Sequence, residues 1–137
     1  MSPKKGLIIS AMAEEMLPIT KYLGYGKELA VGDIVEHENF IFAVSSIGKV
    51  SSTMTLTKVL ERHDIAWIIN IGLAGSLSPH LTFGDVVIVE HTVEHDGIIE
   101  GDDEAQKRLY PLFDLVTVEH PELKRGVLVT GDQFVAS

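Results

Sequence analysis

The chain contains no cysteine. That excludes a disulfide framework and a thiolate metal site. Positive charge is also scarce: 11 Lys and Arg stand against 20 Asp and Glu, a formal net charge of −9. Adjacent cations occur only as isolated pairs such as Lys4–Lys5 and Lys124–Arg125. A chain without a basic face has little to hold a phosphodiester backbone, so no nucleic acid is expected as partner. No apolar run approaches the ~20 residues that cross a bilayer, so no membrane association is expected. The basic start Met1–Lys5 is followed by an apolar run of only Gly6–Ile9, and then by Glu14 and Glu15. A secretory leader has a longer apolar core and no such acidic flank, which makes the cytoplasm the expected location. Internal repeats, low-complexity tracts and interdomain linkers are missing as well.

What remains is an ordinary globular composition. The 137 residues are 45% hydrophobic, with a mean hydropathy of +0.21, enough to bury the core of one domain spanning 1–137. Short apolar runs alternate with helical patterns. Gly6–Ser10 reads as a buried strand. Ala13–Leu23 reads as a helix with Met16, Ile19 and Leu23 at helical spacing, with Pro18 in its early turns and Gly24 and Gly26 at its end. Val31–Val44 reads as two strands with a turn near His37–Asn39. Val50–His63 reads as a second helix, with Val50, Met54, Thr57 and Leu60 on one face. Ala66–Ile71 is a continuous apolar strand expected to be buried on both faces. Val86–Glu90 and Gly126–Thr130 complete the strands. Strand–helix alternation of this kind predicts an α/β fold with a mostly parallel sheet.

Four segments could carry chemistry. Ala11–Glu15 follows the first strand, and ligands of open parallel sheets sit beyond the carboxyl ends of the strands. Glu14 and Glu15 are therefore site candidates, although acids in a first helical turn also simply complement the helix dipole. Asn70–Leu77 follows the most apolar strand; Gly72 and Gly75 permit a sharp turn and close approach to a ligand, or mark an ordinary loop. It lacks the Gly-Lys-Ser/Thr of a phosphate-binding loop. Ile47–Val50 offers Lys49 as a phosphate ligand or as a solvated first-turn residue. Glu94–Asp96 contains a His95–Asp96 pair, but neighbours on a strand point to opposite faces and seldom act together. Without cysteine or clustered histidines, no metal is expected.

Taken in order, the segments resemble the 5′-methylthioadenosine/S-adenosylhomocysteine nucleosidases of the purine nucleoside phosphorylase superfamily. Ile8–Glu15 resembles the opening strand with its Ala-Met-x-x-Glu signature. Ser46–Val50 resembles Gly-Ile-Gly-Lys-Val/Ala. Ile68–Gly75 resembles Ile-Ile-Asn-x-Gly-Ser/Thr-Ala-Gly. Phe83–Val87 resembles Val-Gly-Asp-Val-Val. His95–Asp96 follows at the family spacing, and Gly131–Phe134 resembles Gly-Asp-x-Phe. Each motif alone is weak; six in order along the chain are specific.

The resemblance implies a three-layer α/β/α nucleoside phosphorylase-like fold with a mostly parallel central sheet, a homodimer, and a small-molecule purine nucleoside as ligand. It implies hydrolysis of the N-glycosidic bond of methylthioadenosine and S-adenosylhomocysteine without metal or organic cofactor. Glu15 is then the catalytic base. Met12 lines the ribose, Ala74 and Gly75 line the nucleoside pocket, Phe134 stacks on adenine and the Val135 backbone reads the base edge. A futalosine-type nucleosidase shares these motifs. A phosphorylase would add an arginine phosphate clamp, and Arg62, Arg108 and Arg125 lie in no such motif. Two departures stand out. Leu73 occupies the usual Ser/Thr position, where it is expected to crowd the site. The family's Met-Glu and Ser-Asp segments have no counterpart before Ser137, so the C-terminal portion is expected to be missing. That leaves a non-catalytic remnant as a second expectation.

Overall fold

The computed structural model describes residues 4–96, 109–111 and 121–133. These residues fall into two compact units, 1–74 and 75–137, each described here by itself.

In the first unit, strand β1 (Lys5–Ser10) leads into helix α1 (Ala13–Tyr22), then a hairpin of β2 (Ile34–His37) and β3 (Phe40–Val44). Helix α2 (Lys49–Arg62) and strand β4 (Ile65–Asn70) follow. The sheet order is β2-β3-β1-β4. β1 pairs in parallel with both β3 and β4, and β2 is the antiparallel edge. Because β1 is paired on both edges, its period-2 alternation must be satisfied on both faces. Leu7 and Ile9 join Ile41, Ala43 and Val59, with Leu56 packed against them; Leu56 and Val59 belong to α2. Ile8 joins Phe42 and Val44 with Met16, and Ile19 and Leu23 pack there too. Successive β1 residues thus meet α2 on one face and α1 on the other, giving the three α/β/α layers.

Pro18 is the sixth residue of α1, in its early turns as expected; the helix runs through it, forgoing the bond its N–H would have made to Glu14. Two local expectations are revised. α2 does not bury the face bearing Val50, Met54 and Leu60, which are 48–69% exposed. It buries Thr55 and Val59 instead, Val59 joining Leu7, Ile9, Ile41 and Ala43. β4 is the outer strand of its sheet, and Trp67, Ile68 and Ile69 are exposed. Continuous hydrophobicity therefore does not place β4 under cover on both faces.

In the second unit, β5 (Val87–Glu94) pairs in parallel with β7 (Lys124–Thr130) and antiparallel with β6 (Leu109–Pro111). Among the described residues the order of these three strands is β6-β5-β7. The parallel pair is pinned at its start. Lys124 Nζ donates to Asp85 Oδ2 at 2.6 Å and to the His80 carbonyl at 3.0 Å. Asp85 also accepts from the Thr82 N–H at 2.7 Å, and Arg125 pairs with Glu90 at 3.2 Å.

Two measurements check this account. Phe42 is fully buried, so Phe42→Ala should cost about 3–5 kcal/mol in urea unfolding, whereas Val50→Ala on the exposed helix face should stay within about 0.5 kcal/mol. The hydrogen bond from Lys124, then that from Thr82, holds the Asp85 carboxyl below its ordinary 3.8. A depressed carboxyl contributes stability that is present above 3.8 and is lost as pH falls through the lower folded value. Urea midpoints taken from neutral pH into this acid range should fall less steeply for Asp85→Asn than for the native chain.

Candidate active site

β1 ends at Ser10 between two parallel neighbours reached from opposite directions: the chain goes first to β3 on one side and, after α2, to β4 on the other. Such a reversal opens a crevice beyond the carboxyl end of the central strand. Backbone bonds draw the three exits together. Ser45 N–H donates to the Ser10 carbonyl at 2.9 Å, Ser46 N–H to Ala11 at 3.0 Å and Ile71 N–H to Ile9 at 3.0 Å. Ser10, almost fully buried, donates its hydroxyl to the Met12 carbonyl at 2.9 Å and shapes the turn into α1.

Glu15 occupies this crevice. One carboxylate oxygen accepts from the Met12 N–H at 3.0 Å, the reverse half of a capping box at the start of α1. The other accepts from the Leu73 N–H at 2.8 Å, 58 residues along the chain. A first-turn acid that only complemented the helix dipole would need no such distant partner, and Glu14 beside it is exposed. Gly72 has a reason that its sequence context did not reveal. Its φ is not in the positive region; instead, a Cβ there would lie 3.0 Å from Glu15 Oε1. The carboxylate uses the space that a side chain would fill.

Leu73 is 84% exposed and meets Glu15 through its backbone N–H, a contact any residue but proline could make. Met12 stands half-buried at the N-cap of α1. Ala74 ends the first unit and Gly75 opens the second, both exposed. Phe134 and Val135 lie outside the described residues. Lys49 is the first residue of α2. His91 and His95 stand four apart, a spacing that on a helix would share a face. Here it runs along β5 and past its end, where four residues span roughly 13 Å. Among the described residues no three His, Asp or Glu side chains gather as metal ligands, and no helix is long and apolar enough to cross a membrane.

A mostly parallel sheet with helices on both faces and a carboxylate at its switch point defines an α/β protein with a ligand crevice beyond the carboxyl end of its central strand. The chain belongs to the phosphorylase superfamily, whose sequence pattern matches residues 5–137. It is 32% identical to the aminodeoxyfutalosine nucleosidase of Helicobacter pylori over 95% of this chain and 65% of that protein. It is 27% identical to the 5′-methylthioadenosine/S-adenosylhomocysteine nucleosidase of Staphylococcus epidermidis, over 95% of this chain and 66% of the relative. The chain therefore spans just under two thirds of the length of these relatives. Among solved structures, the Helicobacter pylori methylthioadenosine/S-adenosylhomocysteine nucleosidase with butyl-thio-DADMe-Immucillin-A superposes with a TM-score of 0.73 at 28% identity. It covers all of this chain and 68% of that one. Native futalosine hydrolase of the same organism gives 0.71 at 27% identity, over all of this chain and 70% of that one. The α/β fold and the family expected from the motifs both hold.

The two-sided anchoring makes a prediction that needs no substrate. A carboxamide has one acceptor oxygen and a donor NH2, so in Glu15→Gln one of the two backbone N–H groups faces a donor. Glu15→Gln should lower stability by about 1 kcal/mol in urea unfolding, while Glu14→Gln should leave the midpoint in place.

Proposed function

We propose that this protein hydrolyses the N-glycosidic bond of 5′-methylthioadenosine and S-adenosylhomocysteine and releases adenine. The observation that carries the reading is the Glu15 carboxylate, held by Met12 and Leu73 amides in the crevice beyond β1. Superfamily membership and nucleosidase relatives support it.

In the reaction, a water oxygen bonds to C1′ of the ribose as the bond from C1′ to the purine nitrogen breaks. The purine leaves with the bonding electron pair and takes up a proton. Glu15 accepts the proton that the water gives up, and its negative charge favours the oxocarbenium character of the sugar at the transition state. Two fixed amides keep the carboxylate aimed without reorganisation during the step. Following the family motif, Met12 lines the ribose, Ala74 and Gly75 line the nucleoside, Phe134 stacks on adenine and the Val135 backbone reads its edge. No metal or organic cofactor takes part. The same resemblance extends to a homodimer working in the cytoplasm. The purine's proton comes from the family's Ser-Asp segment, which has no match within residues 1–137, so these residues alone cleave slowly. Aminodeoxyfutalosine is the second substrate reading, favoured by the 32% identity to a nucleosidase of that name.

Adenine release followed by HPLC tests this. A chain extended with the family's C-terminal segments should cleave methylthioadenosine, and Glu15→Gln should lower the rate by about 10²–10⁴-fold. The 137-residue chain should be slower than the extended form by a comparable factor. Faster release from aminodeoxyfutalosine than from either sulfur nucleoside would reassign the substrate, and no release from any of the three by the extended form would leave a binding protein.

A further inference from the structure

In the sequence, Gly72 offers a sharp turn or the close approach of a ligand. In the structure, what approaches is the protein's own carboxylate. The three atoms nearest to a Cβ added at Gly72 all belong to the Glu15 carboxyl group: Oε1 at 3.0 Å, Cδ at 3.4 Å and Oε2 at 3.6 Å. An alanine here would push the carboxylate away by a few tenths of an ångström. Backbone conformation gives no separate reason for the glycine, since its φ is not in the positive region.

Both sides of this contact are held. The backbone at residue 72 is tied before it by the Ile71 N–H, which donates to the Ile9 carbonyl at 3.0 Å. It is tied after it by the Leu73 N–H, which donates to Glu15 Oε1 at 2.8 Å. The other oxygen of the carboxylate accepts from the Met12 N–H at 3.0 Å. A push from residue 72 therefore strains one or both of the amide bonds that aim Glu15. All of these residues belong to the first unit.

We propose that Gly72 is a positioning residue for the hydrolysis. Its missing side chain keeps open the seat in which Met12 and Leu73 grip the Glu15 carboxylate, and so fixes the place from which the base meets the water. This rests on the nucleosidase reading above and extends it to a residue with no functional group of its own. Because Gly72 acts through Glu15, the consequence falls on the bond-breaking step and not on substrate binding.

The variants are Gly72→Ala, Glu15→Ala and the two combined, in the extended, cleaving form of the protein. The readouts are kcat and KM for whichever of the three nucleosides the native form cleaves fastest, amide hydrogen exchange at Leu73, and the urea midpoint. A 1 Å misplacement of a catalytic group can cost about 100-fold, so a shift of a few tenths should lower kcat about tenfold in Gly72→Ala. KM should stay within about twofold of native, as for an interaction made in the transition state. Exchange at Leu73 should quicken. In the Glu15→Ala background no carboxylate remains to be displaced, so adding Gly72→Ala should lower neither kcat nor the urea midpoint further. A glycine needed only by the fold would cost the same in both backgrounds. If Gly72→Ala alone does not fold, the combined variant should, because the three atoms it presses on are gone. Native kcat and native Leu73 exchange in Gly72→Ala overturn the positioning role. So do a rise in KM alone, equal losses with and without Glu15, or a combined variant that fails to fold where Glu15→Ala folds. Any of these, in a protein whose native extended form cleaves, sinks this inference alone. A native extended form that releases adenine from none of the three nucleosides overturns the functional reading and takes this inference with it.

Discussion

One carboxylate joins the local and the distant parts of the candidate site. Glu15 is placed by helix geometry, three residues after the residue whose N–H it accepts, and by fold geometry, beside an amide delivered 58 residues later. Neither contact has meaning without the other. The first holds the carboxylate at the start of α1, and the second requires β4 to leave the sheet directly beside β1. A strand order other than β3-β1-β4 would take Leu73 elsewhere.

That order is imposed by burial. β1 is short and apolar, and it is covered by strands on both edges and by helices on both faces. Hydrophobic stabilisation scales with apolar area removed from water, so the strand with the most neighbours anchors the layers. Its carboxyl end is then the point where the chain direction reverses and polar groups can gather without breaking into the core. Ser10 marks this transition: it is buried like the core residues before it, yet its hydroxyl is spent on the backbone of the turn that follows.

The second unit uses the same means for a different end. Its parallel pair is tied at the start by Lys124, Asp85 and Thr82, and at the exit by His95 and Asp96. In each place a carboxylate accepts a backbone N–H that the strand ladder leaves over. A backbone N–H outside the ladder still has a donor to satisfy, and an acidic side chain supplies the acceptor while fixing a turn. An overall charge of −9 is thus in part a count of side chains holding backbone, Glu15, Asp85 and Asp96 among them, and not only of solubilising surface.

The sequence alone determined the order and type of the elements of the first unit, because periods of 2 and 3.6 are local properties of the backbone, whereas the three-residue β6 is too short to carry a period and was not expected. β1, α1, the hairpin and α2 all fall within a residue or a few of the positions the pattern indicates. It also offered Glu14 and Glu15 as candidates, since carboxylates directly after a buried strand are visible in the chain itself, and the family motif chose Glu15 between them. Tertiary structure decided which faces were covered. Val50 and Met54 are as apolar as Val59, and β4 as apolar as β1, but hydrophobicity does not say which neighbour arrives. Only the fold could show that Gly72 yields its space to Glu15, that Leu73 acts through its backbone, and that His95 and Asp96 work on one turn. Each of these depends on residues brought together from far apart in the chain, and no local spacing records such a meeting.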